Sequence, residues 1–418
     1  MADRLRDVNV TFQEDSVQLD LFNRLRTSEP STLFSYKSIS SKNHVINEKL
    51  TGAGTTTYNA DESTVDLNVG TASGDKATRQ SKNYITYLSG KPMQIKATGV
   101  FASPKTNVVQ RIGYFDDENG LFFDVDGTSV GVVRRTNTSG SVVNNRVAQS
   151  SWNIDKMDGT GISGITLDFS KYQFYIIEFL WQGGVGVRWG VMVDHNIHYV
   201  HAYYAGNVDT VPFIGKPNLP VRYEIENTGI AGSATSLKEG CVDVVAEGGS
   251  KIIGSDWSMS NGITAVNVGT TEEVVLVARM KTTFGGETVR KLVKLLSTKF
   301  FADSQNTYVR VSIVHNPTSV TGGTWSDVDT TDSVIEYNTG QPTITGGDEH
   351  TIDEYYVPAS GGGQGQAGTG GADNRFEDTH TVLSQDIAGT TSDLFVIYAT
   401  ALASTTDVYA TMKILEFE

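Results

Sequence analysis

Paired carboxylates on predicted strands are the first feature of this sequence that suits chemistry. In VRYEIENTG (221–229) Glu224 and Glu226 are two residues apart, so a strand places both on one face. A glycosidase needs two such carboxyl groups in one cleft as acid and base, and Glu178 is a third candidate. Charged residues at alternate positions are also common on the solvent-exposed face of an antiparallel strand. Since the sequence has no serine-nucleophile elbow, Walker loop, HExxH or dinucleotide fingerprint, we predict that the protein is not an enzyme, and we keep a glycan-cleaving enzyme as an alternative hypothesis.

Metal ligands are the second such feature. His195, His198 and His201 lie close together in DHNIHYVHAYY (194–204), and three imidazoles can hold zinc. On a regular strand, however, His198 points to the opposite face from the other two, which are about 20 Å apart. DVDG (124–127) resembles the start of a calcium loop, but an arginine stands where that loop requires a ligating glutamate, and Asp-Gly is typical of hairpin turns. We therefore predict no metal and no cofactor.

The segment WQGGVGVRWGVMVDHN (181–196) predicts a strand hairpin that carries two tryptophans near an arginine. Aromatic stacking beside a charged group suits sugar rings, so Trp181, Arg188 and Trp189 form a candidate glycan-binding surface. Strand alternation argues against this interpretation for Trp189, which shares a face with a row of valines and so belongs to a core. Arg188 points the other way, between two glycines that let another backbone or a partner approach closely. We predict that Arg188 is a partner contact.

The elements that must position these residues are predicted to be strands. Glycine (43 residues) far outnumbers proline (9), and Ser, Thr, Asn, Asp and Val are plentiful, which is typical of an all-β chain with many turns. Apolar segments and turn residues follow each other at the spacing of a sandwich rather than of βαβ units. Only GETVRKLVKLLSTKFF (286–301) fits a helix, and its Val/Leu spacing fits a pair of strands nearly as well.

We predict three parts along the chain: an extended N-terminal arm (1–80), a jelly-roll-like β-sandwich (81–250) and a second β-sandwich (251–418) with a glycine-rich loop (359–374). The arm is polar and only weakly periodic. Within it, FNRLRTSEPSTLFSYKSI (22–39) combines basic residues, a Ser-Glu-Pro turn and aromatic rings. This segment is interpreted either as a docking segment or as a turn packed on its own domain. The candidate docking residues are Arg24, Arg26, Pro30, Phe34 and Tyr36, together with Arg188.

Composition limits the partners of the protein. The formal net charge is −15 and the pI is about 4.9, whereas a nucleic-acid-binding face is basic, so we predict no nucleic-acid partner. A single cysteine, Cys241, allows no intramolecular disulfide. No segment has the length and apolarity of a signal peptide or a membrane span. We therefore expect synthesis in a cytoplasm, no export by a standard signal and no membrane partner.

Two resemblances bear on fold and function. The aromatic strand pair that ends in VMVDHN is similar to the sheet-spanning hairpin of concanavalin-like jelly rolls, which often bind glycans. NRLRTSEPSTLFSYK (23–37), the segment 152–196 with its Asp-Gly-Thr-Gly-x-Ser-Gly turn, and NLPVRYEIENTG (218–229) together resemble a group of virion structural proteins of tailed bacteriophages. That similarity spans about the first 250 residues, and the segment 312–340 resembles the second β domain of these proteins.

The resemblance to phage virion proteins implies a non-enzymatic component of the particle, at the head, at the neck or collar, or at a fibre attachment point. It supplies no site residues. Our leading hypothesis is a homo-oligomer, a trimer or a higher ring, that docks to portal, capsid or tail proteins through its N-terminal arm. Such a protein is synthesised in the host cytoplasm and localises to the virion. The alternative is a receptor-binding adhesin that recognises host surface glycans through the jelly-roll domain.

Overall fold

The computed structural model describes residues 29–43, 45–248, 254–303, 307–317, 319–346, 349–359 and 382–417. These residues divide into two compact units: those up to 80 and between 87 and 248 belong to the first, and residues 81–86 and those from 254 onward belong to the second. The described part contains thirty strands and one short 3₁₀ helix, Gln149–Ser151, which confirms the predicted all-β class. It contains no helix long and apolar enough to cross a membrane.

The described part of the first unit has fifteen strands: β1 (Ser31–Tyr36), β2 (Ile46–Thr51), β3 (Thr55–Asn59), β4 (Thr64–Val69), β5 (Lys76–Ser81), β6 (Met93–Val100), β7 (Val108–Phe115), β8 (Gly120–Asp126), β9 (Ser129–Thr136), β10 (Val143–Ala148), β11 (Gln173–Leu180), β12 (Gly186–Val193), β13 (Asn196–Tyr204), β14 (Val221–Asn227) and β15 (Thr235–Ala246). Sheet 1 has the order β13-β12-β11-β6-β15-β4-β3, with β1 also paired to β15, and sheet 2 has the order β10-β9-β8-β7-β14-β5-β2.

The two sheets of the first unit pack through the apolar faces of their strands. Along β11 the side chains at alternate positions, Tyr175, Ile177 and Phe179, point into the sandwich, as the period of two requires. Phe123 of sheet 2 contacts the Tyr175 ring at a centroid distance of 5.1 Å, and Tyr114 contacts Phe179 at 5.5 Å. These aromatic contacts between the sheets form the centre of a jelly-roll-like sandwich.

The prediction of a separate N-terminal arm is corrected for the described residues. Residues 31–81 contain five strands that pair within the sheets of the first unit. β1 pairs with β15, β4 pairs with β15 and β3, and β5 pairs with β14. In β4 the alternating Val65, Leu67 and Val69 are buried. The other strands are short and lie at sheet edges or carry polar residues on both faces, which is why their periodicity is weak. Residues 1–28 of the predicted arm lie outside the described residues.

The described part of the second unit also has fifteen strands: β16 (Gly254–Ser260), β17 (Val266–Val268), β18 (Glu273–Met280), β19 (Thr283–Phe284), β20 (Glu287–Thr288), β21 (Val293–Asp303), β22 (Thr307–His315), β23 (Ser319–Thr321), β24 (Ser326–Asp327), β25 (Ile335–Asn338), β26 (Thr343–Thr345), β27 (His350–Ala359), β28 (Val382–Leu383), β29 (Leu394–Ala401) and β30 (Thr406–Phe417). The ambiguous segment 286–301 is therefore strand, since it contains β20 and most of β21.

Sheet 3 of the second unit has the order β16-β30-β21-β28, with β17 also paired to β30, and sheet 4 has the order β24-β25-β18-β29-β22-β27. One apolar core joins their inner faces, with Ile397 of β29 and Ile414 of β30 among its fully buried members. The hairpin β19–β20 and the two-stranded sheet of β23 and β26 lie outside both sheets. Most of the predicted glycine-rich loop (359–374) lies outside the described residues.

A buried ion pair links the two sheets of the first unit. The Nε of Arg79 on β5 donates to Oε2 of Glu239 on β15 at 2.7 Å, and both side chains are at most 1% exposed. The same guanidinium binds the Glu48 carboxylate and donates to the Lys42 carbonyl oxygen at 2.6 Å. Burial raises the pKa of Glu239 and lowers the pKa of Arg79, which the Glu48 carboxylate opposes, so the hydrogen bonds of this network offset the cost of placing polar groups in the core.

Removal of one member of this pair should strongly destabilise the first unit. We expect Glu239→Gln or Arg79→Met to lower the free energy of unfolding by about 3–5 kcal/mol, because either change leaves a buried group without its partner. Urea denaturation followed by tryptophan fluorescence measures this loss. The double variant Arg79→Met/Glu239→Met should recover part of it.

The half-exposed pair Lys96–Asp243, with N and O 3.5 Å apart, provides the matched control. Lys96→Met should cost less than about 1 kcal/mol, since exposed ion pairs contribute little. Equal losses for the buried and the half-exposed pair would contradict a structural role for Arg79 and Glu239.

Candidate functional site

Arg188 lies in a cluster of three side chains on the outer face of sheet 1. Its Nε and Nη2 are 2.9 Å and 2.8 Å from Oε2 of Glu178, which is the cross-strand neighbour of Arg188. The Tyr199 hydroxyl donates to the same oxygen at 2.5 Å, and the guanidinium lies 4.0 Å from the centre of the Tyr199 ring. Burial lowers the pKa of Arg188, but Tyr199 and Glu178 together raise it above its ordinary value. The cluster is therefore a charged group neutralised within the chain.

The glycines that flank Arg188 make room for this chain's own aromatic side chains. Gly190 is opposite Tyr199 in the register of β12 and β13, and a Cβ at position 190 would lie 3.1 Å from the Tyr199 ring. Gly186, with φ +153°, is opposite Tyr204, and a Cβ there would lie 2.3 Å from the Tyr203 carbonyl oxygen. We interpreted these glycines as space for a partner, whereas the structure fills that space from β13.

The two tryptophans of the hairpin do not form an open stacking surface. Trp189 is 2% exposed and lies in the core, as predicted from strand alternation. Trp181 is half-buried: its Nε1 donates to the Ile214 carbonyl oxygen at 2.9 Å, and its ring packs edge-on against Tyr87. The predicted glycan-binding surface of Trp181, Arg188 and Trp189 is therefore not present as a single exposed face.

Glu224 lies at the centre of a second charged cluster, on the outer face of sheet 2. Lys76 Nζ and Arg111 Nη1 are 2.9 Å and 2.5 Å from its carboxylate oxygens, and Arg222 Nη1 is 3.5 Å away. Burial raises the pKa of Glu224, but the three cations hold it well below its ordinary value. The same Arg111 and Lys76 also bind Glu226, at 2.9 Å and 3.0 Å.

This arrangement decides what the predicted carboxylates can do. A glycosidase acid must carry a proton near neutral pH, whereas the surrounding cations hold the pKa of Glu224 well below its ordinary value. Glu178 and Glu226 each form an ion pair with an arginine. The cations around these groups were missed from the sequence because they are distant in the chain and meet only through cross-strand pairing, as Arg111 does with Glu224. The sequence signal for this cluster was Arg222, which stands at alternate positions with Glu224 and Glu226 in the predicted strand 221–229.

The histidines of β13 are arranged differently from the prediction. A bulge interrupts the pairing of β13 with β12, so His201 is opposite Trp189 while His198 is opposite Val191. His198 and His201 therefore share the inner face, because a bulge inserts one residue and restores the same side, whereas His195 lies in the preceding turn. Among the described residues no group of three His, Cys, Asp or Glu side chains is placed to hold a metal ion.

The segment that carries Asp-Gly-Thr-Gly-x-Ser-Gly covers the edge of sheet 1. The Asn153 side chain donates to the Ala202 carbonyl oxygen at 2.8 Å and accepts from the Ala202 N–H at 2.9 Å, while the N–H groups of Ile154 and Asp155 reach the Val200 carbonyl oxygen. The loop that follows is tied to the Asp155 carboxylate, which accepts from the N–H groups at 157 and 163. Such cover protects an edge strand from pairing with another chain.

Two of the candidate docking residues are buried in the first unit. Phe34 and Tyr36 are 1% and 5% exposed, and their strand β1 pairs with β15. This matches the alternative interpretation, in which the segment packs on its own domain. Pro30 is exposed and precedes β1, whereas Arg24 and Arg26 lie outside the described residues.

Comparison with known proteins yields likeness of fold alone. No family model and no curated protein matches the chain. Similar solved structures include a β-glucanase from Bacillus licheniformis (14% identity, 54% of this chain and 100% of that chain, TM-score 0.32) and a carbohydrate esterase from the Shiga toxin-encoding bacteriophage phi24B (9%, 53% and 100%, 0.31). Peanut lectin is a third (11%, 52% and 98%, 0.31). TM-scores and identities this low carry no argument about activity or ligand.

The Glu224 cluster should make the first unit sensitive to acid. Because the pKa of Glu224 is lower in the folded than in the unfolded chain, its contribution to stability is present above its ordinary pKa of 4.5 and is lost as pH falls below that value. We expect Glu224→Gln to lower the free energy of unfolding at pH 7 and to flatten its decline between pH 5 and pH 3. Urea denaturation across this pH range measures both effects. An unchanged acid dependence in Glu224→Gln would contradict the assignment.

His201 should make the stability of the first unit depend on pH in a second range, above the range of Glu224. Its Nδ1 accepts from the Asn153 N–H at 3.2 Å, and burial lowers its pKa below the ordinary 6.5. Protonation occurs first in the unfolded chain, so stability is lost as pH falls below 6.5, by at most about 1.4 kcal/mol per pH unit. His201→Gln should remove this slope, whereas His195→Gln, in an exposed turn, should retain it. The same denaturation series between pH 7 and pH 5.5 distinguishes the two variants.

Proposed function

We propose that the protein is a non-enzymatic structural component of a tailed-bacteriophage particle, at the head, the neck or collar, or a fibre attachment point. It assembles there as a homo-oligomer, is synthesised in the host cytoplasm and contacts other particle proteins such as portal, capsid or tail proteins. The resemblance of residues 23–37, 152–196 and 218–229 to virion structural proteins is the basis for the class of particle.

The proposal that the protein is not an enzyme rests on one observation. All three carboxylates that were candidates for catalysis form ion pairs within the chain. Glu178 is bound by Arg188, and Glu224 and Glu226 share Arg111 and Lys76. A catalytic acid or base needs a proton that it can exchange near neutral pH. Carboxylates fixed by guanidinium groups on sheet faces instead stabilise those faces, which suits a scaffold.

The contacts made by segment 152–164 support the same role. This segment carries the most distinctive part of the resemblance, and its side chains bond to β13 and to the loop itself. We propose that this segment closes a sheet edge rather than binding a ligand. A motif retained for this purpose is consistent with a building block of an assembly, where an open edge strand invites incorrect pairing.

We propose that docking through the N-terminal segment uses the residues before β1. Since Phe34 and Tyr36 are core residues, the residues that remain for partner contact are Arg24, Arg26 and Pro30, of which Pro30 is exposed. The second candidate function is glycan recognition by an adhesin, for which the jelly-roll domain was the predicted site. The observation that favours glycan recognition lies instead in the second unit, where Tyr308 and Tyr356 are exposed.

Removal of residues 1–28 should separate assembly from folding. We expect this truncated chain to keep the wild-type thermal unfolding midpoint, because all strands of the described fold remain, and to be absent from purified particles made from a genome that carries the shortened gene. Quantitative mass spectrometry of the particles measures its copy number relative to the wild type.

The contrasting truncation removes residues 1–50, which deletes β1 and nearly all of β2, including Glu48 of the buried ion-pair network. This chain should fail to fold, so its absence from particles would say nothing about docking. Incorporation of the chain lacking residues 1–28 at the wild-type copy number would refute docking through the N-terminal segment.

A further inference from the structure

We infer that the second unit carries a binding platform for a neutral polysaccharide chain on the outer face of sheet 4. The platform consists of three adjacent strands, β27, β22 and β29. Register places three rows of side chains across them: Pro358, Tyr308 and Leu402; Tyr356, Arg310 and Thr400; and Glu354, Ser312 and Tyr398. This inference is independent of the structural role proposed above.

The exposure of the platform is concentrated in its large side chains. Tyr308 and Tyr356 are each 56% exposed and Leu402 is 54% exposed. The tyrosines are diagonal neighbours on adjacent strands, about 7–8 Å apart. Neither phenolic hydroxyl has a hydrogen-bond partner among the described residues. Each ring therefore offers an apolar face and a hydroxyl group to a ligand, and this combination suits the alternating C–H and O–H groups of sugar rings.

At three other places on the sheet faces of this protein, an arginine side chain covers an aromatic ring. Arg188 lies over Tyr199 at 4.0 Å, Arg135 over Phe122 at 5.1 Å and Arg279 over Trp325 at 3.8 Å from the ring centres. Tyr356 has Arg310 as its direct cross-strand neighbour, yet the guanidinium does not cover its ring.

The Arg310 side chain extends away from Tyr356 to Glu272, with Nη2 and Oε1 2.7 Å apart. Thr400 is the residue between them in the register, and its hydroxyl oxygen is buried. Among the described residues this direction leaves the Tyr356 ring without a cation over it and pairs the one cation of the three rows with a carboxylate. The carboxylate of Glu354 in the third row accepts from the Ser312 hydroxyl and has no ion-pair partner in the described part of the chain, so the surface disfavours an anion and a neutral ligand is compatible with it.

The size of the platform indicates the kind of ligand. On the other half of the face, Val320 and Ile344 of the paired strands β23 and β26 and the nearby Trp325 pack over the sheet, and Tyr398 of the third row packs with them. Ser312 in the same row is also buried, so the open part consists mainly of the first two rows and measures about 14 Å by about 14 Å, or roughly 200 Å². A standard protein–protein interface needs about 800 Å² from each partner, and a small molecule needs a concave pocket. An extended sugar chain, which contacts successive rings on a flat surface, fits this area better than either.

Affinity electrophoresis of the full chain tests the inference. The gels contain one of three neutral polysaccharides, a mixed-linkage β-glucan, a galactomannan or dextran, or the anionic polysaccharide alginate. We expect at least one neutral polysaccharide to retard the wild type. The double variant Tyr308→Ala/Tyr356→Ala should bind at least tenfold more weakly, whereas Tyr308→Phe/Tyr356→Phe, which keeps the rings, should stay within about threefold of the wild type.

The matched control is Tyr204→Ala in the first unit, since Tyr204 is also 56% exposed; it should bind like the wild type. All variants should keep the wild-type unfolding midpoint, because the changed side chains are on the surface. The inference is overturned if no neutral polysaccharide retards the wild type, if the double alanine variant binds as well as the wild type, or if only alginate binds and salt abolishes it. A change of oligomeric state in the double alanine variant, measured by sedimentation without loss of polysaccharide binding, would instead identify a contact between copies of the chain and would also overturn it.

Discussion

The arginine at position 79 is the charge on which the first unit depends. A guanidinium inside a sandwich core is tolerable only where its donors meet acceptors, and Arg79 finds them on three different segments, at Glu239, Glu48 and the Lys42 carbonyl oxygen. Because these acceptors come from β15, from β2 and from Lys42 before β2, the network links both sheets and the segment that leads into β2. This explains why residues 42–51 are an integral part of the sandwich although their sequence is polar.

The same requirement organises the outer faces of the two sheets. Glu178 with Arg188 and Glu224 with Arg111 are direct cross-strand neighbours, so each ion pair is made by the pairing of the strands and in turn favours that pairing. A strand slipped by one residue would move each of these charges to the core face without its partner. The carboxylates that looked catalytic in isolation therefore contribute to the specificity of strand register.

Strand alternation predicted those features that depend on one strand alone. It placed Trp189 in the core and Arg188 on the opposite face, whereas the short buried alternation of Val65, Leu67 and Val69 was not recognised within the weakly periodic segment 1–80. It could not predict which strands pair, so it missed Tyr199 as the partner of Arg188 and interpreted the flanking glycines as space for another molecule. It also failed at β13, because a single bulge there puts His198 and His201 on one face, and nothing in the local sequence marks that bulge.

An exposed aromatic ring beside an arginine is informative in this protein, because at three other places an arginine lies over such a neighbouring ring. Arginine over a ring removes apolar surface from water and adds an electrostatic attraction of about 0.5–2 kcal/mol. Arg310 is close enough to cover Tyr356 and instead pairs with Glu272, so the chain forgoes that gain on the one open part of sheet 4. The ion pair with Glu272 therefore leaves the exposed Tyr356 ring, and Tyr308 diagonal to it, available to the ligand that we infer.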